Sequence, residues 1–241
     1  MHALSYYDTK CTRRRLLGEG DIVRNTHNYI KAILIEEHIP MYARVLDLGC
    51  GQGGDLLKIR RRAPSAYRGI DMSRTALKAL AHRVARSDFP CRVELQCLDF
   101  SAASWSAEME VDAISCQFAI QHAFATRERA KHTFHMVGRA LNPGCVFFGT
   151  LPMHDAPSYC PVVVTLPDDA RECVEFSARR EEVVGLCVQN GLTLEMWRTF
   201  SDYYAEKSRE RPALARAMRA TVPPHPANVV FVFRKHKLSQ A

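Results

Sequence analysis

The feature that most restricts the fold of this chain is a glycine-rich turn between a buried strand and a helix. Residues 44–48 predict a short apolar strand, which leads into Gly49-Cys50-Gly51-Gln52-Gly53-Gly54-Asp55. Closely spaced glycines at this point of a strand–turn–helix unit let a ligand that contains a nucleoside approach the backbone. The turn alone is a weak signal, because dinucleotide-binding proteins use a similar one.

Short apolar runs alternate with helical patterns over the first 150 residues. The predicted strands are 44–48, 67–71, 92–98, 111–116 and 145–150, and the predicted helices are 53–62, 73–86 and 127–141, the last stopped by 142–144. A proline-rich loop or short hairpin at 152–167 is followed by a helix at 179–189, a strand at 192–199, a helix at 208–220 and a strand at 228–234. This alternation predicts a doubly wound, mostly parallel α/β sheet with helices on both faces.

The 241 residues fit a single domain. We expect an N-terminal helical extension at 1–40, a cofactor-binding core at 41–151, and a substrate-side insertion with the last strands at 152–241. No run of 18 apolar residues predicts a membrane helix, and the N-terminus lacks the apolar segment of a secretory signal. The nine cysteines are scattered without a CxxC pair, which predicts reduced thiols and a nuclear or cytoplasmic location. His132 and His135 are interpreted as surface or packing residues rather than metal ligands.

The formal net charge is +7, which favours a polyanionic partner. Two basic runs stand out, Arg13-Arg14-Arg15 and Arg60-Arg61-Arg62. Each is equally consistent with a solvated face, so charge alone does not identify the partner.

Acidic residues around the glycine turn indicate which nucleoside ligand it takes. Asp47 and Asp55 flank the glycines and would repel a pyrophosphate, whereas S-adenosylmethionine carries a sulfonium and an ammonium cation and no phosphate. Asp71 ends the second predicted strand and is placed to bind ribose hydroxyls, and Asp99 follows the third strand, near the expected adenine. The alternative is that each carboxylate only caps the next helix.

Three separated segments resemble the mRNA cap guanine-N7 methyltransferase family. They are Val-Arg-Asn-Thr-His-Asn-Tyr-Ile-Lys at 23–31, Leu-Asp-Leu-Gly-Cys-Gly-Gln-Gly-Gly-Asp-Leu-Leu-Lys at 46–58, and Ser-Cys-Gln-Phe-Ala-Ile-Gln-His-Ala-Phe at 115–124. Their order and spacing match, and the likeness runs from about Tyr6 to Lys235. It implies a Rossmann-like enzyme that uses S-adenosyl-L-methionine and releases S-adenosyl-L-homocysteine.

The resemblance also implies the site residues. Lys31 would contact the methionine carboxylate, Asp71 the ribose and Asp99 the adenine. The implied cofactor-binding set is Lys31, Asp47, Gly49, Asp71, Asp99 and Gln117. The implied acceptor-binding set is Tyr7, His27, Asp55, Gln121, His122, Glu175 and Asn228.

Several acceptor-side positions depart from the family pattern. The family usually has His-Tyr at Gln121-His122, Asn at His27, Lys at Gln52 and Tyr at Asn228. The cofactor side is intact, so the departures concern which base is methylated more than whether methyl transfer occurs.

The implied acceptor is guanine N7 of the 5′ cap of mRNA. The N7 lone pair carries no proton, so no catalytic general base is expected, and Gln121, His122 and Glu175 would position the base. Alternatives are another base of the capped end, such as N6 of the first adenosine, a non-catalytic RNA-binding subunit, and a small-molecule methyltransferase. The expected partners are the capped RNA end and a separate guanylyltransferase and triphosphatase, because the chain has no Lys-x-Asp-Gly motif.

Overall fold

The computed structural model describes residues 19–103, 105, 110–165, 172–221, 223–224 and 227–237. Its strands are β1 (Arg44–Leu48), β2 (Ala66–Asp71), β3 (Val93–Cys97), β4 (Val111–Gln117), β5 (Leu141–Pro152), β6 (Pro161–Thr165), β7 (Glu172–Phe176), β8 (Leu192–Thr199) and β9 (Asn228–Lys235). Its α-helices are α1 (Glu19–His38), α2 (Leu56–Arg60), α3 (Arg74–Ala85), α4 (Arg127–Ala140), α5 (Arg180–Gln189), α6 (Phe200–Glu210) and α7 (Pro212–Ala217). A 3-10 helix spans Ile120–Ala125.

The central sheet has seven strands in the order β3-β2-β1-β4-β5-β9-β8. The first five are parallel, and β9 pairs antiparallel with both β5 and β8. This confirms the predicted doubly wound, mostly parallel sheet. The strand order reverses between β1 and β4, and ligands of such sheets bind at the carboxyl ends of the strands beside that reversal.

Both faces of the sheet are covered. Alternate residues of one strand serve opposite layers: Val45 packs with Tyr29 of α1 and Ile59 of α2, whereas Leu46 packs in the layer that holds Phe134 of α4 and Val183 of α5. Branched and aromatic residues buried on both sides are typical of parallel strands, because crossover helices cover each face.

Helix starts follow their capping residues. The Ser73 hydroxyl accepts a hydrogen bond from the Ala76 amide, and Thr126 and Thr199 cap α4 and α6 in the same way. These side chains satisfy amides that the first helical turn leaves unpaired.

Three sequence predictions about element boundaries are wrong. The helix predicted from residue 53 begins only at Leu56, because residues 51–55 form the turn. Residues 142–144 do not separate helix from strand: β5 already begins at Leu141, and its register shifts along this stretch. The helix predicted at 208–220 is two helices that break at Arg211, where Pro212 starts α7.

The proline-rich segment forms one strand of a separate hairpin, in which β6 and β7 pair antiparallel. Within the described residues, no helix combines the length and the apolar character needed to cross a membrane. The described cysteines are free thiols, and no cluster of metal-ligating side chains occurs among those residues. Arg13-Arg14-Arg15 lies outside the described part of the chain.

Candidate active site

The glycine turn lies against the end of β4. Gly49 has φ +70°, and a Cβ there would lie 2.3 Å from the Ala119 Cβ. Gly51 also has a positive φ, of +51°, but its missing side chain faces open space, with no atom within 4 Å. Only glycine adopts such angles without strain. The turn therefore combines tight packing beneath it with an open surface above it, where a ligand can reach the backbone.

Asp47 is buried below the turn, with 4% of its surface exposed. The Tyr67 hydroxyl donates to Asp47 Oδ2 at 2.9 Å. Burial, followed by the charge of Asp55, raises the pKa of Asp47 to about 7. An ammonium group placed beside this carboxylate would favour its ionised form.

Asp55 is the centre of a buried ion cluster. Its carboxylate contacts Lys31 Nζ at 2.8 Å and Lys58 Nζ at 2.7 Å, and the Asn28 side-chain oxygen also accepts from Lys58. Burial alone would raise the pKa of Asp55, but the two ammonium groups outweigh it and lower the pKa to about 2.

This cluster corrects one step of the sequence argument. Two lysines face one carboxylate, so the cluster is positive overall, and Asp55 does not repel an anion from the turn. The surplus ammonium charge instead suits a carboxylate, consistent with the contact predicted for Lys31. Lys58, which sequence reasoning passed over, lies one helical turn after Asp55 and was recognisable as an i, i+3 partner.

Asp71 and Asp99 lie at the ends of β2 and β3, as predicted. Asp71 accepts hydrogen bonds from the Gly51 and Ser73 amides, both at 2.8 Å. Asp99 accepts from the Ser101 amide and hydroxyl and pairs with Arg129 at 2.6 Å. Both carboxylates therefore order local turns, as the capping alternative suggested. Their contacts with ribose and adenine remain predictions.

The end of β4 connects this region to the acceptor side. Phe118 has φ +55°, an unusual conformation for a bulky residue. Its amide donates to both the backbone oxygen and the hydroxyl of Thr150 at 3.0 Å. These bonds hold the strained backbone, and the Phe118 carbonyl accepts from Gln121 Nε2 at 3.1 Å. Strain of this kind concentrates at functional sites.

Gln121, in the 3-10 helix, and Glu175, in β7, meet although they are far apart in sequence. Gln121 Nε2 donates to Glu175 Oε1 at 3.2 Å, and both residues are buried. His154 Nε2 lies 3.3 Å from Glu175 Oε2. His122 is half-buried, and desolvation lowers its pKa despite nearby carboxylates, Glu175 first among them. Sequence reasoning missed His154, because no motif includes it.

His27 faces the same region from α1. Its ring stacks on Phe118 at 5.4 Å and meets Phe200 edge-on at 5.2 Å. Burial, followed by the charge of Lys31, lowers its pKa to about 4, so the ring is neutral at physiological pH. Asn228 begins β9 opposite Pro152, and Tyr7 lies outside the described residues.

Unsatisfied polar atoms concentrate in this region. Among the described residues, six buried side-chain nitrogen or oxygen atoms lack a hydrogen-bond partner. Three of them belong to predicted site residues, and they are His27 Nε2, Gln117 Oε1 and Gln121 Oε1. Buried polar groups normally find partners, so a ligand or an ordered water is expected to complete the hydrogen bonds of these three.

Known proteins resemble the chain in sequence. The sequence model of the mRNA (guanine-N(7))-methyltransferase domain matches residues 9–163. An mRNA cap guanine-N(7) methyltransferase of Oryza sativa subsp. japonica is 30% identical over 196 residues, which cover 77% of this chain and 47% of the rice protein. The Saccharomyces cerevisiae enzyme is 35% identical over 140 residues, covering 54% of this chain and 32% of its own length. The chain thus matches less than half the length of each relative.

Solved structures share the fold. An S-adenosylmethionine-dependent methyltransferase from Mesorhizobium loti has a TM-score of 0.60 at 19% identity, covering 86% of this chain and 98% of its own. A glycopeptide N-methyltransferase complexed with S-adenosyl-L-methionine has a TM-score of 0.62 at 14% identity, covering 86% and 93%. The sheet is therefore the Rossmann-like sheet of these methyltransferases. Together with the match over residues 9–163, this establishes that the chain belongs to the mRNA (guanine-N(7))-methyltransferase domain family.

Proposed function

We propose that this chain transfers a methyl group from S-adenosyl-L-methionine to guanine N7 of the 5′ cap of mRNA. The observation that carries the choice of guanine is the buried Glu175 carboxylate, which accepts a hydrogen bond from Gln121 in the 3-10 helix after β4. Family membership and the relatives' names support the same activity.

The residues of the cofactor side fit S-adenosyl-L-methionine, which supplies an activated methyl group when bound. Asp47 offers a buried carboxylate for the ammonium, and Lys31 belongs to the positive cluster that suits the carboxylate. Asp71 lies at the end of β2, where the ribose is expected, and the open space above Gly51 admits the ligand to the backbone. S-adenosyl-L-homocysteine would leave by the same route.

The acceptor side favours guanine over adenine. An ionised glutamate only accepts hydrogen bonds, so its ligand must present donors. The Watson–Crick edge of guanine presents N1–H and N2–H together, whereas adenine presents an acceptor at N1. A guanine read on that edge by Glu175 keeps N7, on the opposite edge, free to face the methyl donor.

The chain need only position this base. Because N7 carries a lone pair and no proton, none of the buried polar residues has to act as a general base. His122 and His27 are neutral at physiological pH, because burial lowers the pKa of each. Neutral rings leave the site free of added positive charge beside a base that becomes cationic on methylation. Orientation of the reactants supplies the rate enhancement.

The test uses labelled S-adenosyl-L-methionine with RNAs that end in unmethylated GpppG or GpppA. Digestion to nucleosides and mass spectrometry locate the label. We expect label on guanine N7 with both RNAs. Label confined to N6 of the first adenosine would overturn the proposal in favour of that alternative, and no label on either RNA would overturn it in favour of a small-molecule or non-catalytic role.

Two further expectations stay predictions. Co-purification would test whether a separate guanylyltransferase and triphosphatase associate with the protein. Fluorescence microscopy would test its nuclear or cytoplasmic location.

A further inference from the structure

Both oxygens of the Glu175 carboxylate are held by side chains from different elements. Gln121 Nε2 donates to Oε1 at 3.2 Å, and His154 Nε2 lies 3.3 Å from Oε2. Glu175 is 5% exposed and the His154 side chain 15%. A buried carboxylate is costly unless it is paired, so these two contacts stabilise the charge as well as the orientation.

Because the Glu175 carboxylate can only accept hydrogen bonds, the atoms of His154 and Gln121 that contact it must be donors. An ionised Glu175 only accepts, so His154 Nε2 carries the hydrogen in this contact, whether the ring is neutral or charged. Gln121 Nε2 faces two acceptors, the Phe118 carbonyl and Glu175 Oε1. That environment orients the amide with its oxygen directed away from the carboxylate. A carboxylate has about four acceptor positions, so two donors leave about two for a ligand.

His154 also connects two parts of the fold. It lies two residues beyond the end of β5, a strand of the central sheet, whereas Glu175 lies on the separate β6–β7 hairpin. The contact between them fixes the carboxylate relative to the sheet that carries the predicted cofactor site.

We propose that His154 is a positioning residue that makes the site selective for guanine. It holds the rotation of the Glu175 carboxylate so that the remaining acceptor positions face the N1–H and N2–H donors of the base together. This inference rests on the proposed function, because it takes Glu175 to read the guanine edge. Without His154, Glu175 loses the donor that fixes its second oxygen.

The test compares RNAs that end in a guanosine cap with RNAs that end in an inosine cap, which lacks the 2-amino group. His154→Phe keeps an aromatic ring and removes the donor, whereas His154→Gln keeps a donor. His135→Phe, on the exposed face of α4, is the matched control. For each protein, kcat/KM is measured with both caps, and a cofactor titration checks that the variant is folded.

We expect His154→Phe to lower the guanosine-to-inosine ratio of kcat/KM about tenfold, the size of one misaligned hydrogen bond. His154→Gln should restore most of the ratio, and His135→Phe should leave it unchanged. A ratio that His154→Phe leaves intact, with both caps slowed equally or not at all, would overturn the inference.

Glu175→Ala, measured on the same two caps, separates this inference from the proposed function. If Glu175→Ala retains the wild-type rate and ratio, the guanine site itself is wrong. If Glu175→Ala loses both while His154→Phe keeps the ratio, only the role of His154 is wrong.

Discussion

Two regions of the carboxyl edge of the sheet differ in how their polar groups are satisfied. The cofactor half, which comprises Lys31 and the residues from Asp47 to Asp71, pairs its charges internally through the Asp55 cluster and the Asp47–Tyr67 bond. The acceptor half comprises His27, Gln121, His122, His154 and Glu175, and in it His27 Nε2 and Gln121 Oε1 have no partner among the described residues. The charged groups of the cofactor half are thus paired within the protein, whereas two of the three unsatisfied site atoms lie in the acceptor half, the third being Oε1 of Gln117 in the predicted cofactor-binding set.

The largest expected effect is on stability, from removing the carboxylate of Asp55, which pairs with Lys31 and Lys58 in the cofactor half. Asp55→Leu leaves two buried ammonium groups without their carboxylate, so we expect it to lower the free energy of unfolding by about 3 kcal/mol or more. Glu36→Ala, which removes the exposed partner of Arg211 from the same helix α1, should cost less than about 1 kcal/mol. Urea unfolding measures both. Equal losses would show that the cluster is not internally paired as described.

The glycine turn gives a second test. Gly49→Ala adds a Cβ at 2.3 Å from Ala119 and at φ +70°, so we expect a loss of about 2 kcal/mol of unfolding free energy and weaker cofactor binding. The control is Gly185→Ala in α5, where a Cβ meets nothing within 4 Å. Because alanine favours helix, this change should stabilise the protein slightly. A stable, fully binding Gly49→Ala variant would contradict the described packing of the turn.

The same two halves differed in how far the sequence could predict them. The glycine turn, the Ser73 cap and the strand ends at Asp47 and Asp71 follow from local patterns, because each depends on neighbours within a few residues. The acceptor half depends on contacts across long separations, such as Gln121 with Glu175, which no local pattern encodes. Glu175 was therefore predicted only through the family resemblance. It lies beyond residues 9–163, the range that the family model matches.

Other misses have physical reasons of the same kind. The repulsion of an anion assigned to Asp55 was wrong because Lys31 reaches the carboxylate from α1, an element earlier in the chain. His154 carries no motif, and its role emerges only when the hairpin folds beside the end of β5. The break at Arg211 was missed because helical patterning continues across Pro212, which is tolerated in the first turn of a new helix.

Cofactor affinity should depend on pH through Asp47. Because its pKa is raised to about 7 and the ionised form binds the ammonium, affinity should fall about tenfold from pH 7 to pH 5.5. The α-amino group stays protonated over this range. Isothermal titration with S-adenosyl-L-methionine measures the dependence. Asp47→Asn should bind weakly at both values without that slope, and an equal slope in this variant would contradict the assignment.

The smallest expected effect is a difference between the two halves in how the free energy of unfolding depends on pH. The pKa of His27 falls from 6.5 to about 4 on folding. The contribution of the neutral His27 ring to the free energy of unfolding is therefore lost as the pH drops from 6.5 towards 4. The pKa of Asp47 rises from 3.8 to about 7. The contribution of the protonated Asp47 carboxyl to the free energy of unfolding is therefore lost as the pH rises from 3.8 towards 7. Relative to wild type, His27→Gln should therefore gain stability at pH 6 against pH 7, and Asp47→Asn should gain it at pH 7 against pH 6, each by about 1 kcal/mol. Urea unfolding at both pH values gives the signs, and shifts of the same sign would contradict the contrast.

The central claim is that the two halves bind different molecules, the cofactor and the capped base. The most direct measurement is an isothermal titration of S-adenosyl-L-methionine into Glu175→Ala, paired with its rate on GpppG-ended RNA. We expect a cofactor Kd within about twofold of wild type and a kcat/KM lowered about 100-fold or more, because the base donors lose their buried acceptor. Loss of cofactor binding in a folded Glu175→Ala protein would contradict the division of the site.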